Sequence, residues 1–121
     1  MNNAIYQYRY MRPLLQEFKA DFFRALAHPI RIRILETLGS GEHSVHELQQ
    51  QLALEQPVVS QQLAILRAKN IVSARKLGTT VKYGLSDPLI TRLLAVAREI
   101  FNNHLVDTQS MLKELRREGR R

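Results

Sequence analysis

Between residues 44 and 69 two short amphipathic stretches stand back to back with only a turn between them. The first opens on Ser44, and Glu47 three residues later sets up a capping box, in which hydroxyl and carboxylate each accept a backbone N–H of the other residue. Val45, Leu48 and Leu52 line one apolar stripe behind it. After a turn at residues 53–56, Pro57 opens the second stretch, where Val59, Leu63 and Leu66 recur at i, i+4 and i+7. A short helix over 44–52, a tight turn and a second helix over 57–69 with a polar outer face make a helix-turn-helix.

The flanks restrict the fold further. Upstream, Leu14, Leu15, Phe18, Phe22 and Leu26 have helical spacing from Pro13 onward, leaving residues 1–12, with Tyr6, Tyr8, Tyr10, Arg9 and Arg12, as an N-terminal arm. Ile30-Arg31-Ile32-Arg33-Ile34 alternates like a strand, yet Pro29 suits a helix start and the apolar pattern runs through Leu35 and Leu38 to Gly39 and Gly41. Downstream, residues 71–76 and 80–85 read as two short strands around Gly78-Thr79. Asp87-Pro88 then starts a helix whose apolar positions (Leu89, Leu93, Val96, Ile100, Leu105, Met111, Leu112, Leu115) continue almost to the end, before a basic tail at 119–121. The expected fold is mainly α with a small β-hairpin (α+β), a winged helix-turn-helix in the order α-α-α-α-β-β-α. One domain over 13–118 accommodates it, with no internal repeat or linker.

A helix-turn-helix lays its second helix in the major groove of DNA. At about 100° per residue, Pro57, Ser60, Gln61 and Ala64 fall opposite the Val59, Leu63, Leu66 stripe. Small and amide side chains let a helix approach closely, and glutamine pairs bidentately with adenine. Gln56, Ser60 and Gln61 are the preferred readers, while Gln62 is expected nearer the rim. The hairpin carries Arg75, Lys76 and Lys82, with Arg67 and Lys69 just before it; a cationic wing of this kind would straddle a phosphate backbone, with Thr79 or Thr80 donating to phosphate. The net charge of +7 agrees with an anionic partner. For Arg31 and Arg33 a structural role competes with phosphate contact.

These linked segments resemble the ArsR/SmtB family of winged-helix repressors from about Phe22 to Pro88. The marks are Leu26-Ala27-His28-Pro29-Ile30-Arg31-Ile32-Arg33-Ile34-Leu35, Val45-His46-Glu47-Leu48, Gln56 to Leu66, and the Gly78 wing closing on Tyr83-Gly84-Leu85-Ser86. The resemblance implies that the helix from Pro57 is the recognition helix, with Gln56, Ser60 and Gln61 on DNA-contacting positions. Pro57 stands where the family often has serine. The resemblance also implies a homodimer built from the first and last helices. A final helix of about 45 Å is longer than so small a domain requires, and Phe18, Phe22, Leu93, Ile100 and Phe101 are the interface candidates.

Members of that family commonly sense metals. Where they carry paired cysteines, this chain has Ser44 and His46, and it contains no cysteine at all, which removes thiolate ligands, disulfides and thiol nucleophiles. His43 and His46 are the remaining nitrogen donors for a zinc or nickel ion, although a Ser44 cap would leave His43 outside the helix. On the last helix Asp87 matches one family ligand position, but Leu89, Ile100 and Asn103 break that pattern; Asp87 then reads as an N-cap and His104 as an interface histidine.

No glycine-rich phosphate loop, nucleophile elbow or metal-hydrolase motif is present, so an enzyme is not expected. No apolar run approaches the roughly 20 residues of a membrane span, and a cytoplasmic protein is expected. The reading is a sequence-specific, double-stranded DNA-binding transcriptional regulator, a repressor acting as a homodimer on a palindromic operator. The alternatives are a non-specific DNA-packaging protein and a winged interaction module without DNA binding.

Overall fold

A computed structural model describes the backbone of residues 3–119 and the side chains of residues 14–119. The chain divides into two compact units, residues 1–87 and 88–121. The first holds α1 (Asn3–Leu26), α2 (Pro29–Leu38), α3 (Val45–Leu52), α4 (Gln56–Ala68), β1 (Val72–Leu77) and β2 (Thr80–Leu85); the second holds α5 (Leu89–Glu118).

The order matches the expected winged helix-turn-helix. The largest difference lies at the start: α1 begins at Asn3, so the segment expected as an arm is helical from residue 3, and Pro13 lies inside the helix instead of opening it. A proline there removes one backbone donor without forcing an end. The tyrosine side chains of the arm and the last two residues of the tail lie outside the described residues.

His28 and Pro29 separate α1 from α2. A residue before proline avoids the helical region, and His28 is extended at φ −152°, ψ 129°, where its Nδ1 accepts the Ile30 N–H at 3.1 Å and caps α2. The alternating Ile30 to Ile34 segment is therefore helical, with Ile34, Leu35 and Leu38 buried. The box on α3 is complete: Ser44 Oγ accepts the Glu47 N–H at 3.1 Å, and Glu47 Oε1 accepts the Ser44 N–H at 3.0 Å. Ala53 ends α3 in the left-handed region at φ 54°, a conformation that makes the turn toward α4 short.

The core of the first unit is built by Ile34, Leu35, Leu48, Val59, Leu63, Leu66, Ile71 and Val72, all essentially without solvent exposure. They come from three helices and the start of the hairpin, so the helix-turn-helix and the wing share one apolar centre. The antiparallel hairpin runs from the Val72–Leu85 pair to the Leu77–Thr80 pair. Gly78, at φ 62°, takes the left-handed residue of the two-residue turn. Asp21 on α1 binds Lys69 after α4 at 2.8 Å, and that ammonium holds the Asp21 carboxyl below its ordinary value.

In the second unit α5 runs for 30 residues, about 45 Å at 1.5 Å per residue. Its N-cap is Pro88, without a side-chain cap, in place of the expected Asp87.

Candidate nucleic-acid interface

The turn after α3 leads into α4, which has its proline in the first turn and no side-chain cap. The buried stripe of α4 is Val59, Gln62, Leu63 and Leu66. Turning away from that stripe places Gln56, Pro57, Gln61, Ala64 and Arg67 in solvent, with Ser60 half-buried among them. The expected readers are thus brought onto one face and left uncovered by the rest of the first unit. Gln56 and Ser60, four residues apart, are linked by a 2.7 Å hydrogen bond from Nε2 to Oγ. That bond leaves the Gln56 amide oxygen, and the whole Gln61 amide, open to an incoming donor or acceptor.

Gln62 corrects the expectation of a rim residue. It is 8% exposed, and its Oε1 accepts from Arg31 Nη1 at 3.0 Å. The same guanidinium donates through Nε to the Ala25 carbonyl at 2.6 Å and through Nη2 to the Arg24 carbonyl at 3.4 Å. Arg33 donates to the Leu52 carbonyl at the end of α3, at 2.8 Å. Both arginines are therefore tied into the fold: Arg31 joins the end of α1 to α4, and Arg33 joins α2 to the helix-turn-helix turn.

The wing is also tied to the helix-turn-helix. His43, just before α3, forms a bridge with Tyr83 through backbone bonds of 3.0 and 2.8 Å. Arg75 Nε donates to Glu42 at 2.7 and 3.0 Å, a pairing that raises the guanidinium pKa. Lys82 donates to Glu47, the carboxylate that also caps α3. The Lys82 ammonium, then the Ser44 backbone N–H and hydroxyl, lower the Glu47 carboxyl from 4.5 to about 2. Two wing cations expected to face phosphate thus each have an acidic partner inside the chain. Lys76 and Thr79 are exposed, and Lys76 and Arg67 form no salt bridge among the described residues.

Of the two nitrogen donors considered for a metal ion, one is engaged within the fold and the other lies in solvent. His43 is buried, and its Nδ1 must donate to the Gly41 carbonyl 2.7 Å away, since a carbonyl only accepts. His46 is exposed, and no group of three or more His, Cys, Asp or Glu gathers among the described residues. Zinc sites take three or four such ligands.

Sequence reasoning missed the partners of Arg75, Lys82 and Gln62. The sequence identifies Glu47 through its cap alone and supports two competing roles for Arg31.

The model of bacterial regulatory proteins of the arsR family matches residues 28–74, from the α2 cap to the first wing strand. The uncharacterized HTH-type transcriptional regulator Rv0081 of Mycobacterium tuberculosis is 44% identical over 106 residues, covering 87% of this chain and 93% of its own. The chain belongs to the arsR family. As an ArsR-family protein it is a DNA-binding transcriptional regulator, not an enzyme. The crystal structure of Rv0081 superposes with a TM-score of 0.72, at 45% identity, over 78% of this chain and 95% of that one. The homodimeric winged helix-turn-helix DNA-binding domain of Mb0332 from Mycobacterium bovis, a possible ArsR-family regulator, has a TM-score of 0.71 at 27% identity, over 78% of this chain and 88% of its own. The biofilm growth-associated repressor of Xylella fastidiosa is 38% identical over 82 residues, 68% of this chain and 72% of its own. No described helix of this ArsR-family chain is long and apolar enough to cross a membrane.

Proposed function

We propose that the protein is a homodimeric repressor of transcription that reads a palindromic duplex site, with α4 in the major groove of each half-site. The observation that carries this reading is the uncovered polar face of α4: Gln56, Pro57, Ser60, Gln61 and Ala64 stay accessible while Leu48, Leu52, Val59, Leu63 and Leu66 are buried behind them. Gln61 and Gln56 read base edges, Ser60 and Arg67 meet edges or backbone, and the wing from Arg75 to Lys82, with Thr79 at its tip, lies along the adjoining strand.

Two half-sites one turn apart require two recognition helices about 34 Å apart, hence two copies of the chain. Each unit carries exposed apolar side chains that a second copy can cover: Leu14, Leu15 and Phe18 on α1 in the first, and Ile100, Phe101, Leu105, Met111, Leu112 and Leu115 on α5 in the second. Phe22 and Leu93, also expected at the contact, are half-buried in the single chain. The homodimeric relative from M. bovis supports the same assembly. A regulator of this kind works in the cytoplasm, where the DNA is. Metal plays no part in this proposal, because His43 and His46 lack further ligands among the described residues.

Selection of bound sequences from a random duplex pool tests the reading. Enrichment of a palindrome with half-sites one turn apart is the expected result. Retention of the whole pool without enrichment would support DNA packaging instead, and no retention would support a winged module without DNA binding.

A further inference from the structure

We infer that Glu42 and Glu47 act as internal stand-ins for phosphate, holding Arg75 and Lys82 against the helix-turn-helix, so that the wing contacts the duplex backbone through Lys76. The inference rests on the DNA-binding reading above and deepens it by separating the wing cations into braces and contacts.

The register of the hairpin places Arg75 directly opposite Lys82. Side chains alternate between faces along a strand, so these two share a face with the Ser73–Gly84 and Leu77–Thr80 pairs. Like charges directly opposite each other repel. Here each is answered by its own carboxylate, Arg75 by Glu42 in the segment that leads into α3 and Lys82 by Glu47 in the first turn of α3. The His43–Tyr83 backbone bridge fixes that segment beside β2. Gly84 leaves room for it, since a Cβ there would come within 3.1 Å of Glu42 Cγ. The Glu47 carboxylate cannot swing away with Lys82 without giving up the Ser44 N–H at 3.0 Å. Lys82 accordingly stays with an acid whose position is set by the helix cap.

Lys76 lies on the opposite face of the hairpin, paired across with Val81. It is exposed, has no salt bridge among the described residues, and sits two positions before Gly78, close to Thr79 at the tip. Salt dependence distinguishes the two kinds of cation. A free lysine that meets phosphate releases counterions from the DNA and adds about 0.9 to the slope of log affinity against log salt. A cation already neutralised by a carboxylate contributes little, because entering the phosphate field brings the acid with it.

The test measures this slope for the full-length protein on the duplex recovered from the random pool and on a random duplex. Lys76→Gln removes one contact from each subunit of the dimer and should reduce the slope by about two, shrinking the affinity lost between 50 and 200 mM salt by about 12-fold. Lys82→Gln and Arg75→Gln should leave the slope unchanged. Glu42→Gln should release Arg75 in both subunits, steepen the slope by about two and tighten binding to both duplexes at low salt. Glu47→Gln should do the same through Lys82, because glutamine also serves at the N3 position of a capping box; circular dichroism melts confirm that each variant is folded. A slope reduced by about two in Lys82→Gln or Arg75→Gln, or a slope unmoved in Lys76→Gln or Glu42→Gln, would overturn the inference. Wild type that binds neither duplex would overturn the DNA-binding reading itself, and the inference with it.

Discussion

Arg31 and Gln62, on α2 and α4, meet through a 3.0 Å hydrogen bond beside the reading face, and the same guanidinium holds the Ala25 carbonyl at the end of α1. Gln62 follows directly on Gln61, so the bond fixes the rotation of α4 that turns Gln61 outward. A buried amide left without its donor costs about 1–3 kcal/mol. Arg31→Met should lower unfolding stability by that amount in urea titrations. In the Gln62→Leu background the same substitution should cost at least about 0.5 kcal/mol less. Additive losses would show that the two residues act independently.

Glu47 makes α3 sensitive to acid. Its carboxyl is lowered to about 2 from an ordinary 4.5 by Lys82 and by Ser44. A depressed folded-state pKa gives a stabilising contribution that is complete above the unfolded value and disappears as pH falls through the folded one. The stability difference between wild type and Glu47→Gln should therefore be constant near neutrality, shrink below pH 4.5 and vanish near pH 2. Thermal melts across that range check it; a difference independent of pH would contradict it.

Ala53 occupies the left-handed region at φ 54° in the turn between α3 and α4. A side chain in that conformation costs about 1 kcal/mol, and the residue is exposed, so little packing opposes its removal. Ala53→Gly should raise the unfolding midpoint by an amount equivalent to about 0.5–1 kcal/mol. A lowered midpoint would show that backbone freedom in the unfolded chain outweighs the relief.

The pairing surface can be tested apart from DNA. Phe101 is 65% exposed on α5, and a carboxylate there would have to be desolvated in an apolar contact. Phe101→Glu should sediment as a monomer at concentrations where wild type is a dimer, with the helical signal of the first unit retained. A dimeric variant would place the contact elsewhere.

Much of this architecture was legible because it is written in short-range signals. Pro29 and Pro57 mark helix starts, Ser44 and Glu47 mark a cap, and Gly78 marks the wing turn, each within a few residues of what it controls. The start of α1 was not legible, because Pro13 looks like a first-turn residue and the helix continues through it. Gln62 is instructive in another way. With Val59, Leu63 and Leu66 it completes an i, i+3, i+4, i+7 stripe, so its spacing already pointed inward, but its polarity argued otherwise until a donor 31 positions away was in place. The pairs Arg75–Glu42 and Lys82–Glu47 span 33 and 35 positions. Only the folded register brings such partners together, and a linear reading therefore counted the wing cations without the acids beside them.

The account depends most on the outer face of α4. The direct measurement is the ratio of affinities for the selected palindrome and a scrambled duplex at one fixed salt concentration, for wild type and for Ser60→Ala combined with Gln61→Ala. Loss of one good base contact costs about 1–3 kcal/mol of discrimination, so the double variant should lose most of the preference while keeping its affinity for the scrambled duplex and its dimeric state. A ratio equal to that of wild type would contradict the assignment of this face as the reader.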